Sequence, residues 1–235
     1  MRDYEEFIRG KHLRSRDVGF DIPPDSLNAK AYDWQRLVVS WALRKGRAGL
    51  FEECGLGKTL QQLIYGEQVA LKTGGKVLLL CPLVVQFQTI DECSRFGISV
   101  PYRICESQAD VGDGINIANY EKLHLFDASQ FVCVILDEGS ILKNYTGVTK
   151  RQLCQQFAST PYKLTCTATP SPNDRMEIGN QAEFLGVMPS NEMLARWFVN
   201  DGSKVGLVYR DWETDRKSTR LNSSHEIPSR MPSSA

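Results

Sequence analysis

Two short segments, about 80 residues apart, hold side chains suited to phosphate chemistry. The first is Gly55-Leu56-Gly57-Lys58-Thr59. Glycines let backbone N–H groups turn inward onto phosphate oxygens, and a helix N-terminus behind them adds a favourable dipole. On this reading Gly55, Leu56, Gly57, Lys58, Thr59 and Leu60 form a nucleotide cradle. Lys58 would reach the β- and γ-phosphates of ATP, and Thr59 would offer its hydroxyl to Mg²⁺. The second segment is Asp137-Glu138, which ends the apolar run Phe131–Leu136. Asp137 suits a carboxylate that holds Mg²⁺ through water, and Glu138 can accept the proton of an attacking water. A phosphotransferase that delivers phosphate to a substrate needs no such base, so the pair points to ATP hydrolysis with Lys58, Asp137 and Glu138 as catalytic residues. The loop departs from the common pattern at Glu52, where a glycine is usual.

Each segment has a plain alternative. A G-x-G-K-T string can occur in any loop, and two acids often end a strand. Context argues against chance. Ala48–Phe51 reads as a short strand before the loop, and Leu60, Leu63, Ile64 and Leu71 mark a helix after it, ended by Gly74-Gly75.

The remaining pattern supplies a scaffold. Trp34, Leu37, Val38, Trp41 and Ala42 recur at helical spacing and predict an amphipathic helix. Val77–Cys81 predicts a buried strand stopped by Pro82, and Leu83, Phe87 and Ile90 a third helix. Strands are expected near 102–105, 115–118, 131–136 and 162–166, with helices over 147–158, 176–185 and 192–198. Residues 1–30 read as a short helix and a loop broken at Pro23-Pro24. Strands alternating with helices predict an α/β domain, with a mostly parallel sheet covered by helices on both faces.

Composition narrows the class. The 235 residues are 42% hydrophobic, enough for one sizeable core. With 28 basic and 28 acidic residues, a basic nucleic-acid strip would have to be local. No apolar run is long enough to span a membrane, and the N-terminus lacks the apolar stretch of a signal peptide. The seven cysteines contain no C-x-x-C spacing, which argues against zinc. Cys81 and Cys133 should pack as small hydrophobes, and the odd count fits a reducing cytosol.

Residues 215–235 lose all apolar periodicity. Asp215–His225 and Ser229–Ala235 resemble a translated sequencing adapter in one reading frame, and the plain alternative is a Ser-rich disordered terminus. Without this stretch the chain carries 24 basic and 26 acidic residues. On the adapter reading, the natural coding sequence is expected to continue beyond residue 214.

The motifs fall in a recognisable order. Gly55–Thr59, Asp137–Ser140 and Thr167-Ala168-Thr169-Pro170 resemble the first three motifs of superfamily-two helicases. Cys54–Thr59, Asn119–Leu123, Asp137–Lys143 and Thr167–Asp174 look most like the Swi/Snf-related branch and its phage-type, DEAD/DEAH-like relatives. The resemblance implies a RecA-like P-loop NTPase lobe over about residues 31–190. In it Gln35 would read the adenine edge. Pro82, Asn119, Tyr120 and Glu121 would contact a nucleic-acid backbone, and Thr167, Ala168 and Thr169 would couple hydrolysis to motion. Neither Ala-Asp nor Ala-His follows Glu138, which favours DNA over RNA as partner.

Residues 1–30 would then be an extension and 191–214 the start of an inter-lobe region. Motors of this kind close ATP between two lobes, and the second supplies an arginine finger worth about 10³–10⁵ in rate. This chain alone is therefore expected to bind ATP·Mg²⁺ weakly and to hydrolyse it very slowly. The expected location is a bacterial or phage-infected host cytoplasm. A non-catalytic nucleic-acid-binding module and a small-molecule kinase remain as alternatives.

Overall fold

The computed structural model describes residues 17–143, 148–171, 177–200 and 207–209. The first sixteen residues, Pro172–Asp174 of the last motif and the 215–235 tail lie outside the described residues. The chain divides after Ser190 into two compact units.

In the first unit the helices are α1 (Asp33–Lys45), α2 (Lys58–Thr73), α3 (Gln86–Phe96), α4 (Val148–Gln156) and α5 (Ile178–Leu185). The strands are β1 (Arg47–Phe51), β2 (Lys76–Cys81), β3 (Tyr102–Ile104), β4 (Ile115–Asn119), β5 (Phe131–Asp137) and β6 (Tyr162–Thr167). All six strands run parallel, in the order β1-β6-β5-β2-β4-β3. The expected α/β architecture is therefore the observed one.

Strand alternation builds two apolar layers. Val77, Leu79 and Cys81 of β2 point to the layer that holds Leu63 and Ile64 of α2, Val39 of α1 and Cys93 of α3. Leu78 and Leu80 point to the other, with Leu153 of α4 and Phe184 of α5. Cys81 and Cys133 are buried, as their apolar runs require.

Two helices turn a different face inward from the one their periodicity suggests. In α1 the buried residues are Gln35, Val39, Ala42 and Leu43, while Trp34, Leu37 and Trp41 are 40%, 58% and 39% exposed. Gln35 turns in because its amide has polar work to do beside the glycine loop. Around α3, Leu83 sits in a preceding 3-10 turn, Leu83–Val85, and Phe87 is 71% exposed. The inward face of α3 carries Gln86, Thr89 and Cys93 instead, with Ile90 packed at its margin.

The second unit holds most of α6 (Ser190–Trp197) and the antiparallel pair β7 (Phe198–Asn200) and β8 (Leu207–Tyr209). Phe198, expected to end a helix, opens β7 instead.

Candidate active site at the carboxyl edge of the sheet

The order of the strands brings the motifs together. β6 lies between β1 and β5, with Phe51 opposite Thr167 and Cys166 opposite Asp137. The glycine loop, the carboxylate pair and the threonine element therefore leave three adjacent strands at one edge. Ligands of open parallel sheets bind at this carboxyl edge.

The loop bends at Gly57, which caps α2 with φ +77°. That backbone angle favours glycine, and a Cβ there would lie 2.5 Å from Gln35 Nε2 and displace that amide. Gln35 Nε2 donates to Leu56 O at 2.9 Å, and Gln35 Oε1 accepts from Tyr32 N at 2.9 Å. One buried amide thus ties the start of α1 to the loop. Lys58 Nζ donates to Glu52 O and Glu53 O, both at 2.9 Å. Thr59 is half-buried in the first turn of α2. Gly55 and Leu56 are exposed, whereas the Leu60 side chain lies in the core, which leaves its main chain as the part able to meet a ligand. At Glu52, where the common pattern has glycine, the carboxylate accepts from Gln61 Nε2 at 2.7 Å.

Asp137 ends β5 and accepts from Gln62 Nε2 at 2.7 Å. Burial raises the Asp137 carboxyl above its ordinary value; the Gln62 donor opposes this, Glu138 adds to it and the Lys58 charge opposes it. Glu138 is the non-glycine residue with positive φ among the described residues, at 57°. Thr167 Oγ1 donates to Glu138 Oε1 at 2.8 Å and accepts from Thr169 N at 3.0 Å. Thr167 is buried, Ala168 is half-buried and Thr169 is exposed.

A second set of residues holds this turn from behind. Gln181 Nε2 donates to Gly139 O at 2.7 Å, and Thr165 Oγ1 donates to Gln181 Oε1 at 2.8 Å. Asn180 Nδ2 donates to Leu142 O at 2.8 Å. Sequence reading missed Gln62, Thr165, Asn180 and Gln181. Their only signal was polarity on otherwise inward-facing positions, and that shows once the helix register is known.

Pro82, Asn119, Tyr120 and Glu121 line one pocket of about 330 Å³, together with Glu138 and Ser140. Its lining contains no lysine or arginine. Tyr120 turns its hydroxyl inward and donates to Asp137 O at 2.6 Å. Asn119 is buried, and its Oδ1 caps the following turn at Lys122 N, 3.0 Å away. Glu121 and Pro82 are exposed, as are Leu83, Val84 and Phe87 beside them.

A divalent cation would find few protein ligands here. Among the described residues no group of three or more His, Cys, Asp or Glu could hold a metal. Mg²⁺ is commonly held by one or two side chains plus substrate phosphates and water. The Thr59 hydroxyl and the Asp137 carboxylate are oxygen donors of the right kind.

No protein-family model matches the chain. It is 25% identical over 181 residues to the DNA annealing helicase and endonuclease ZRANB3 of Bos taurus, covering 70% of this chain and 17% of that protein. It is 27% identical over 216 residues to Helicase domino of Drosophila melanogaster, covering 82% of this chain and 7% of that protein. The chain thus spans a small part of the length of these relatives. The SWI2/SNF2 ATPase core of Sulfolobus solfataricus in complex with dsDNA superposes with a TM-score of 0.64 at 20% identity, over 75% of this chain and 40% of that one. Among the described residues no helix is long and apolar enough to cross a membrane. The fold is thus like that of the solved ATPase core, and the sequence likeness is to proteins named as helicases.

Proposed function

We propose that the chain is the ATP-binding lobe of an ATP-dependent DNA helicase or translocase. The observation that carries this reading is the arrival of the glycine loop, Asp137 and the Glu138–Thr167 pair at the ends of adjacent strands. The main chain of residues 55–60 cradles the phosphates. Lys58 exchanges its bonds to the Glu52 and Glu53 carbonyls for phosphate oxygens and neutralises their charge. Thr59 and Asp137 hold Mg²⁺, which supplies further neutralisation. Glu138 accepts the proton of the attacking water, oriented by the Thr167 hydroxyl. Gln35 would read the adenine edge by exchanging its bonds to Leu56 O and Tyr32 N for the base.

The pocket lined by Pro82, Asn119, Tyr120 and Glu121 adjoins Glu138, so a nucleic-acid backbone seated there would bear on the hydrolytic base. DNA is the partner supported by the named relatives, one a DNA annealing helicase and one a core solved with dsDNA.

Binding of a fluorescent ATP analogue tests the reading. The chain should bind it in the presence of Mg²⁺, and Lys58→Ala should lose that binding while its thermal melt is retained. No nucleotide binding by the unsubstituted chain, with duplex DNA still bound, would instead indicate a non-catalytic module.

A further inference from the structure

Gln62 lies one helical turn beyond Lys58 on the same face of α2. Its side chain is fully buried, and the two residues that follow it, Leu63 and Ile64, serve the core. Packing alone would favour another aliphatic residue there. Instead Nε2 donates to Asp137 Oδ1 across 2.7 Å, while Oε1 is buried with no hydrogen-bond partner. A carboxylate only accepts hydrogen bonds, so the amide must turn its N–H toward Asp137 and leave its oxygen over. Orphaned buried acceptors are rare in folded proteins and mark places where a further donor belongs.

We propose that Gln62 is a positioning residue for Asp137 in divalent-cation binding. Its N–H holds the carboxylate in one orientation for the hydrated cation that accompanies the nucleotide. This rests on the nucleotide reading above. Partners behind a metal-binding carboxylate act in this way by limiting its rotation before the cation arrives. The arrangement also separates two tasks of α2. Lys58 meets the phosphates at its first turn, and Gln62 meets the strand-end carboxylate at its second.

The test is a Mg²⁺ titration of fluorescent ATP-analogue binding by the full chain, with a parallel affinity measurement in EDTA. Gln62→Met keeps the length of the side chain and removes both polar atoms. It should raise the Mg²⁺ concentration at half-maximal response by about tenfold, with EDTA affinity changed by less than about twofold. Should Gln62→Met fail to fold, Gln62→Asn keeps an amide but withdraws it by one methylene, and the same shift is expected. An unchanged Mg²⁺ midpoint, or equal losses with and without Mg²⁺, overturns the proposal. Absence of Mg²⁺-dependent binding in the unsubstituted chain overturns the nucleotide reading itself, and the proposal with it.

Discussion

Thr167 donates its hydroxyl hydrogen to Glu138 across 2.8 Å, so the last residue of β6 aims the side chain that follows β5. Glu138 holds a left-handed backbone angle and needs such a tether to keep its carboxylate in one place.

Thr167→Val keeps the shape of the side chain and removes that donor. Nucleotide affinity should stay within about twofold, while single-turnover hydrolysis falls about tenfold or more. Thr167→Ser should restore the rate. A valine variant that hydrolyses ATP at the parental rate would show that the tether does not matter to the base.

Gly139→Ala should be costly for steric reasons alone. A Cβ at residue 139 would fall 2.0 Å from Thr165 Oγ1. Overpacking of this kind costs about 1–3 kcal/mol, and each kcal/mol lowers the melting temperature by about 2–4 °C in a domain of this size. Thr165→Ala removes the obstructing hydroxyl, so the cost of Gly139→Ala should shrink in that background. An undiminished cost in the double variant would place the strain elsewhere.

Gln35→Ala frees the Leu56 carbonyl and the Tyr32 N–H together. Loss of these contacts should destabilise the chain by about 1–2 kcal/mol in thermal or urea unfolding. The adenine role adds a second outcome, reduced discrimination between ATP and GTP in competition binding. Stability loss with unchanged base preference would leave Gln35 as a brace for the loop and nothing more.

Lys163 gives a pH signature. It is buried in β6, with Nζ donating to Phe184 O at 2.9 Å and lying 5.3 Å from the centre of that ring. Burial, with the nearby Arg47 charge, lowers it from 10.5 to about 8. Between those values the unfolded chain binds a proton that the folded chain does not, so this group's contribution makes stability rise with pH. The melting temperature of the parent minus that of Lys163→Met should therefore increase from about pH 8 to about pH 10.5. A flat difference would mean that the lysine stays charged in its site.

Much of the fold was legible because strands and the glycine loop announce themselves locally. Phe131–Leu136 can only be a buried strand, and Gly57-Lys58-Thr59 fixes a strand before it and a helix after it. Facing was harder. Trp34, Leu37 and Trp41 have the right spacing for a core stripe, yet α1 buries the neighbouring register. That choice goes with Gln35, whose partners are Leu56 in the loop and Tyr32 at the cap of α1, neither of them a hydrophobic contact. The same holds for Gln62 and Gln181. A polar residue in a helix reads as solvated until its partner, here Asp137 or Gly139, is known to lie beneath it. Glu52 looked like a defect in the loop, and its contact with Gln61 explains how a carboxylate is tolerated there.

The placement of β6 has a consequence for biosynthesis. Among the described residues β1 pairs with β6 alone, and β6 is the last of the six strands to be translated. Until the ribosome has released residue 167, the strand that carries the phosphate loop has no neighbour in the sheet, and β5 presents an open edge. Unpaired edges of this sort invite chaperones and intermolecular pairing. The edge that bears the glycine loop is thus the final part of the sheet to close, whatever the order in which its pieces were made.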